Sequence, residues 1–272
     1  MAITLRRKKT FDLKTLPGFT TVAIICFLLL YAPIVTLVVY SFNAGKYIAI
    51  WEGFSFQWYV AAWGNEAVQD ATFRSLILAA QASLYSTAVA TMAALGTTRT
   101  KPFKGQTVIY TMINQPLMVP EIVTAVALLI LFAMIKVATG IQGMFYLVLA
   151  HTAFCIPFAY LPIRARLESM DGVLELAAAD LYAPPWKAFT RVTLPLLWPG
   201  ILAGAMLAFV ISLDDVVITE FVKSAGQETL PTYMLGQLRR IITPEINAIS
   251  TVLLGVSVLV VTLFFVITQR RA

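Results

Sequence analysis

Six long apolar runs constrain this chain more than any other feature of its sequence. They cover Phe19–Phe42, Phe73–Thr97, Thr107–Ile135, Met144–Leu161, Gly200–Phe221 and Ile246–Thr268. Each run is long enough to cross a hydrocarbon core of ~30 Å as a helix. Backbone groups in lipid must be hydrogen-bonded within the chain, so helices are the default structure for such runs. We therefore predict an all-α membrane protein with six transmembrane helices.

The composition excludes the other broad classes of protein. Hydrophobic residues make up 59% of the 272 residues and charged residues only 12%, against about 25% charged in soluble domains. The chain has one histidine, and its two cysteines, Cys26 and Cys155, both lie in apolar runs. We expect those thiols to be buried hydrophobic groups, and we expect no metal site.

The basic residues predict the orientation of the chain in the membrane. Placing both termini inside puts 14 of the 20 Lys and Arg residues on the cytoplasmic side, as the positive-inside rule favours. These residues are scattered among loops, so they indicate topology and not a nucleic-acid surface. We predict a basic tail at 1–18, one transmembrane domain at 19–268 with a cytoplasmic loop at 164–199, and a short cytoplasmic tail at 269–272.

The outer connection Asn43–Thr72 is rich in aromatic residues. An interfacial aromatic belt explains them, and a docking surface for an external partner is the alternative. The residues are Trp51, Phe54, Phe56, Trp58, Tyr59 and Trp63.

The cytoplasmic loop contains signals for two short helices. Asp171 and Gly172 favour the start of a helix, and the prolines at 184 and 185 end it, because a residue before proline is pushed out of the α region. A second short helix is predicted from Trp186. Two such helices would form a knob that fits the groove of a partner.

This loop resembles the EAA loop of binding-protein-dependent ABC importer permeases. The chain matches that motif at Ala177, Ala178, Asp180, Leu181, Val192, Leu194 and Pro195. It departs from the motif twice: Leu176 stands where the glutamate belongs, with Glu175 one residue earlier, and Tyr182 stands where the glycine belongs. The second departure changes the turn, since only glycine takes a positive φ freely. Either Glu175 replaces the missing glutamate or the charged contact to the ATPase is lost.

The resemblance extends over the chain and narrows to the spermidine/putrescine-type permeases, most closely to the second permease subunit. It is carried by Leu30–Pro33, Tyr40–Asn43, Trp51–Ser55, Gln57–Tyr59, Ser212–Val217, Thr229–Pro231 and Pro244–Ala248. It implies a type I ABC importer permease (MetI-like) fold in the bacterial inner membrane. The implied partners are a second permease subunit, two ATPase subunits that bind ATP and Mg, and an external solute-binding protein. The implied coupling residues are Glu175, Ala177, Ala178, Asp180, Leu181, Tyr182 and Pro195.

Three acidic residues lie deep inside the apolar runs, away from their ends. Asp214 lies fifteen residues past Pro199, and Glu121 lies fourteen past Thr107, so both lie roughly 21–22 Å along helices that leave the cytoplasmic face. An acid at such a depth costs about 2.5–3.5 kcal/mol on insertion scales. A water-filled path for a cationic solute explains Glu121, Asp214 and Asp215. The alternative is that they bond to backbone or hydroxyl groups in a kinked region.

Neighbouring helical residues point about 100° apart, so we expect one of Asp214 and Asp215 to line the path and the other to bond across a subunit interface. Pro116 and Pro120 break the third span beside Glu121, which marks either a transport site or a packing kink. His151 lies near the layer of acids. We predict that its ring packs inside the bundle with its nitrogen atoms hydrogen-bonded. The alternative is a role in proton transfer or ligand binding.

Small residues predict which spans are central. They recur along the second span and at Gly204, Ala208 and Ser212 of the fifth, and small residues let helices approach closely. We predict that these two spans lie at the centre of the bundle.

The sequence lacks the motifs that other functions would require. The sequence has no G-x-x-x-x-G-K-[ST] loop, so ATP chemistry must reside on a partner. It also lacks the H-E-x-x-H and G-x-S-x-G motifs of hydrolases. We therefore predict a permease subunit of an ATP-driven polyamine importer. The alternatives are the same permease class with another small solute, a carrier or channel without an ATPase, and an intramembrane enzyme.

Overall fold

The computed structural model describes residues 19–47, 50–239 and 244–269. The predicted tail at 1–18, and residues 270–272 of the second tail, lie outside these ranges. The helices of the described residues are α1 (Phe19–Tyr40), α2 (Gln57–Gly64), α3 (Glu66–Thr98), α4 (Gln106–Met118), α5 (Glu121–Thr139), α6 (Phe145–Ser169), α7 (Val173–Asp180), α8 (Pro185–Ala188), α9 (Leu194–Asp214), α10 (Val217–Val222), α11 (Leu230–Leu238) and α12 (Glu245–Gln269).

Six helices of the described residues are long and apolar enough to cross a membrane, as predicted. Several helices are longer than the apolar runs, because polar residues beyond the ends of those runs are also helical. α3 begins at Glu66, seven residues before the predicted start, because the Asn65 side chain accepts a hydrogen bond from the Ala67 amide and caps it. α6 continues to Ser169 and α9 begins at Leu194, so the predicted loop 164–199 shortens to the stretch between them.

The core of the bundle is formed by α3, α6 and α9, which make the most extensive contacts with one another. The buried face of α3 consists largely of Ala and Ser, and Gly204 brings α9 close to α6. A Cβ atom at Gly204 would lie 2.7 Å from the carbonyl oxygen of Ala159. The prediction that the second and fifth spans are central is therefore confirmed, and α6 lies between them as the third core helix.

The close approach at Gly204 predicts a strong effect of one methyl group. Gly204→Ala must push α9 away from the backbone of α6, and overpacking of this kind costs about 1–3 kcal/mol. We expect a lower midpoint of thermal unfolding for the purified complex. Gly255→Ala on α12 is the matched control, because a Cβ there meets nothing within 4 Å. Equal midpoints for the two variants would contradict this packing.

The third span is broken, as its prolines predict. α4 ends at Met118 and α5 begins at Glu121, with Pro120 in an extended conformation between them. The two halves lie along α6 in order: Tyr110 of α4 contacts Tyr160, while Phe132 of α5 contacts Tyr146. The break therefore faces the middle of α6.

The fifth span was predicted to continue to Phe221, and this prediction is wrong. α9 ends at Asp214, and a separate short helix, α10, follows from Val217. Asp215 has an extended backbone, with ψ of 130°, and its side chain bonds to the amides of the next helix. A capping acid therefore ends one helix and starts another.

The outer connection is a folded unit organised by Asn43. The Asn43 side chain donates to the carbonyl oxygens of Tyr47 and Ile50 and accepts from the amides of Gly45 and Glu52. The rings of Phe42, Phe54, Phe56 and Tyr59 pack against one another with centroids 5.2–6.1 Å apart. Phe54 and Phe56 nevertheless stay more than half exposed, as an interfacial belt and a docking surface both require.

Candidate functional site

The three intramembrane acids surround one cavity of about 430 Å³. Its other lining residues are apolar, and two of them are the aromatic residues Phe154 and Phe158 of α6. These two residues lie nine and thirteen positions past the start of α6, so the cavity lies roughly 14–20 Å along that helix. The structure thus brings together, near mid-helix, the three acids that the sequence predicts at similar depth.

Glu121 reaches the cavity because the third span breaks. It is the first residue of α5, directly after the extended Pro120, and a negative charge at a helix start is stabilised by the unpaired amides there. Its carboxyl group lies close to that of Asp215, and both groups line the cavity. This proximity follows from the packing of α5 against α10.

Asp215 is buried, with a side-chain exposure of 1%. Its Oδ1 accepts from the Ile218 amide at 3.3 Å, and its Oδ2 accepts from the Thr219 amide at 2.8 Å and from the Thr219 hydroxyl at 2.7 Å. Asp215 thus bonds within its own chain, and the expected bond of one aspartate across a subunit interface stays a prediction. The sequence alternative of bonds to backbone and hydroxyl groups describes Asp215 well.

Asp214 differs from its neighbour in both exposure and bonding. It is exposed, and it lines the same cavity. Among the described residues, no hydrogen bond or ion pair to its carboxylate is formed. Of the adjacent aspartates, Asp214 is thus the one whose charge is open to the cavity.

The cavity can attract a cation. Two close carboxylates repel each other, and either a proton or a cation between them relieves that repulsion. No Lys or Arg lines the cavity within the described residues, so the chain itself supplies no counter-charge. Aromatic faces such as those of Phe154 and Phe158 add a favourable surface for an ammonium group and for methylene groups.

His151 is buried beside the acids, with 1% exposure. Its Nδ1 lies 2.8 Å from the Ser212 hydroxyl, and its Nε2 lies 2.9 Å from the Thr219 hydroxyl and 3.4 Å from Asp215 Oδ2. Every polar atom of the ring has a partner, as expected for a packing histidine. Within the described residues, no group of three or more His, Cys, Asp or Glu side chains could hold a metal.

The predicted coupling loop forms two short helices, as its sequence signals indicate. α7 begins after Gly172, where Asp171 Oδ1 accepts from the Val173 amide, and α8 begins at Pro185. A π-helical turn, Phe189–Thr193, joins α8 to α9. The predicted second helix is therefore one turn long and continues through this π turn into the fifth span, where Pro195 is exposed.

Tyr182 takes a left-handed conformation, which glycine, the residue of the motif at this position, adopts freely. Its φ is 54°, the only positive φ of a non-glycine residue within the described ranges. The Tyr182 amide donates to the Ala179 carbonyl and the Ala183 amide to the Ala178 carbonyl, which is the Schellman pattern. The tyrosine thus forms a left-handed turn at a cost of about 1–2 kcal/mol.

Glu175 points back into its own chain. Its Oε1 accepts from the Thr193 hydroxyl at 2.9 Å and lies 3.4 Å from Arg99 Nε. Arg99 also donates to the Met170 carbonyl. Glu175 therefore ties α7 to the inner end of α3 and the start of α9, and does not stand free in place of the motif glutamate.

The exposed face of the loop is apolar. Leu181 is 81% exposed, Tyr182 95% and Trp186 71%. Ala177 and Asp180 are exposed on the same short helix, and Ala178 is half-buried. Such a cluster at the predicted cytoplasmic side has the character of a protein interface, since aromatic residues are enriched in interface cores.

Sequence reasoning missed two residues of the site. Thr219 and Ser212 link His151 to Asp215 and to α9, yet each reads as an ordinary hydroxyl in an apolar run. One signal was available: Asp215 before the β-branched run Val216–Thr219 is typical of a helix N-cap. Applied to this run, the capping rule would have ended α9 at Asp214.

These features define a class: a multi-pass membrane protein with an acid-lined cavity between broken helices and an exposed apolar loop on one face. The sequence profile of the family described as "Binding-protein-dependent transport system inner membrane component" matches residues 86–271. The chain belongs to this family. It is thus a transport component and not an enzyme, as predicted, and the family places it in the inner membrane.

Two curated relatives narrow the resemblance. The putrescine transport system permease protein PotI of Escherichia coli (strain K12) is 38% identical over 242 residues, covering 88% of this chain and 86% of that protein. The spermidine/putrescine transport system permease protein PotC of Haemophilus influenzae is 35% identical over 242 residues, covering 89% and 93%.

Solved structures support the fold. A chain of a bacterial ABC transporter that imports the acidic polysaccharide alginate matches with a TM-score of 0.69 at 18% identity, covering 93% of this chain and 94% of that one. A chain of the inward-facing MetNI methionine ABC transporter matches with a TM-score of 0.61 at 16% identity, covering 74% and 94%. The predicted ABC importer permease fold is therefore confirmed.

Proposed function

We propose that this chain is one permease subunit of an ATP-driven importer of polyamines, putrescine or spermidine. The observation that carries the proposal is the cavity lined by Glu121, Asp214 and Asp215 near the middle of α6. A polyamine has ammonium groups separated by methylene segments. Acids bind the former and the rings of Phe154 and Phe158 pack against the latter.

The relatives support the choice of cargo. PotI and PotC are named as putrescine and spermidine/putrescine permeases, and the alignments cover most of this chain. Both the relatives' names and the charge of the cavity therefore favour a small organic cation over a neutral solute or an anion.

The proposed complex has four kinds of subunit. A second permease subunit completes the path, because the cavity is open at one side of this chain and Asp214 is exposed there. Two ATPase subunits bind ATP and Mg, and one of them docks on the loop of this chain through Leu181, Tyr182 and Trp186. An external solute-binding protein delivers the cargo.

The proposed mechanism is alternating access. ATP binding closes the ATPase subunits and moves α7 and α8. Because Glu175 ties α7 to Thr193 at the entry of α9, this movement pulls on the fifth span. The breaks before Glu121 and after Asp214 lie at the cavity, where irregular backbone in a membrane is tolerated, and they allow its two sides to open in turn.

Uptake in cells tests this proposal. Cells that carry the whole complex are compared with cells that lack only this chain, using labelled putrescine and labelled spermidine. We expect uptake that needs this chain and stops when the ATPase subunits are inactivated. Absent uptake of both compounds by an assembled complex would contradict the polyamine assignment. Uptake that persists with inactive ATPase subunits would contradict the ATP-driven mechanism.

A further inference from the structure

The two adjacent aspartates have different bonding, and the difference has a physical origin in the helix break. A carboxylate has about four lone-pair positions. Donors from Ile218 and Thr219 occupy three of those on Asp215, and the Glu121 carboxyl lies nearby on the same cavity. Little of its hydrogen-bonding capacity is left for a solute. Asp214, in contrast, is exposed at the cavity.

The bonds around Asp215 also have a defined direction. The Thr219 hydroxyl donates its only hydrogen to Asp215 Oδ2. Its oxygen must therefore accept from His151, so Nε2 of the ring carries a hydrogen. In the neutral ring Nδ1 is then an acceptor, and it accepts from the Ser212 hydroxyl. A single directed chain runs from Ser212 through His151 and Thr219 to Asp215.

This chain of hydrogen bonds connects three elements. Ser212 lies near the end of α9, His151 lies on α6, and Thr219 lies on α10. All four residues are buried, with whole-residue exposures of 0–7%. α9 ends at Asp214, so this residue lies between two anchored neighbours. Ser212 before it bonds to His151, and Asp215 after it bonds to Ile218 and Thr219.

We propose that His151 and Thr219 are positioning residues, which hold Asp215 as an internal cap so that Asp214 is the aspartate that contacts the transported cation. The contact of Asp214 with a transported cation rests on the proposed function. The positioning of Asp215 by His151 and Thr219 does not depend on it. Asp215 contributes by fixing the break between α9 and α10, and Asp214 contributes its charge.

Isosteric variants test the role of the hydrogen-bond chain. Thr219→Val keeps the shape of the side chain and removes both the donor to Asp215 and the acceptor for His151. His151→Leu removes the ring donor, while His151→Gln retains an amide N–H that can replace Nε2. Thr91→Val is the matched control, because within the described part of the chain the Thr91 hydroxyl bonds only to the Thr87 carbonyl of its own helix.

The first readout is the concentration dependence of labelled putrescine uptake by the assembled complex. We expect Thr219→Val and His151→Leu to raise KM about tenfold with a smaller change in maximal rate, and His151→Gln and Thr219→Ser to stay within about threefold of wild type. A merely structural role would lower maximal rate and complex yield together and leave KM unchanged, and that result would overturn the proposal.

The second readout needs no cargo. Hydrogen exchange of the 216–222 segment in the purified complex reports on the amides that Asp215 caps. Asp215→Asn and Thr219→Val are expected to speed this exchange at least fivefold, and Asp214→Asn is expected to leave it unchanged. Equal effects of Asp214→Asn and Asp215→Asn on exchange would refute the division of roles. If wild type does not take up putrescine, the proposed function fails and this readout still tests the positioning role.

Discussion

Asp214→Asn is expected to lower putrescine uptake by about ten- to hundred-fold while the complex still assembles. The variant keeps the size of the side chain and removes a charge that is open to the cavity. Hydrogen bonds to charged groups contribute about 1.5–3 kcal/mol, and 1.4 kcal/mol is a factor of ten. Initial uptake rates at a concentration of labelled putrescine below KM measure this loss directly.

Glu228→Gln is the matched control for the loss of one negative charge. Glu228 lies on the outer side, half exposed, with a long contact of 3.7 Å to Lys223, so its neutralisation is expected to change uptake by less than twofold. Asp214→Glu, which restores the charge, is expected to recover part of the activity. Wild-type uptake by Asp214→Asn would mean that the acids serve the fold of a kinked region and do not form a cation path.

The second large effect is expected at the docking loop. The double variant Ala177→Glu with Leu181→Glu places two charges, one helical turn apart, on the exposed face of α7. Burying those charges against an ATPase subunit is unfavourable, and central interface residues contribute 2 kcal/mol or more. We expect the amount of ATPase subunit that co-purifies with the complex to fall at least thirtyfold. The chain should still insert in the membrane and pair with the second permease.

Phe103→Glu is the control for an added acid on the same side of the membrane. Phe103 is an exposed apolar residue, at 43%, in the connection between α3 and α4, outside the docking loop. It is expected to leave ATPase co-purification unchanged. If the double variant also retains the ATPase subunits, the assignment of the coupling surface is wrong.

The membrane architecture could be predicted because it depends on local properties. Length and apolarity alone give the six spans, and proline chemistry gives the break before Glu121. Aspartate and proline signals likewise give the boundaries of α7. In each of these cases the residues that determine the structure are neighbours in sequence.

The features that could not be predicted depend on distant residues. His151 reaches Asp215 only because α6 and α10 pack together, and nothing near residue 151 in the sequence indicates a threonine sixty-eight positions later. Glu175 looked free to replace the motif glutamate, yet Arg99 and Thr193 hold it within the chain. The conformation of Tyr182 could not be predicted for another reason. A left-handed backbone is strained for a tyrosine, and such strain persists only where the surrounding turn requires it.

Accumulation of putrescine in proteoliposomes tests the central claim most directly. The reconstituted complex of this chain, the second permease, the ATPase subunits and the binding protein is supplied with labelled putrescine, with ATP and Mg at the ATPase side. We predict accumulation above the outside concentration that is lost without ATP and strongly reduced by Asp214→Asn. A complex that imports a neutral solute but not putrescine, or that only equilibrates putrescine without ATP, would contradict the account.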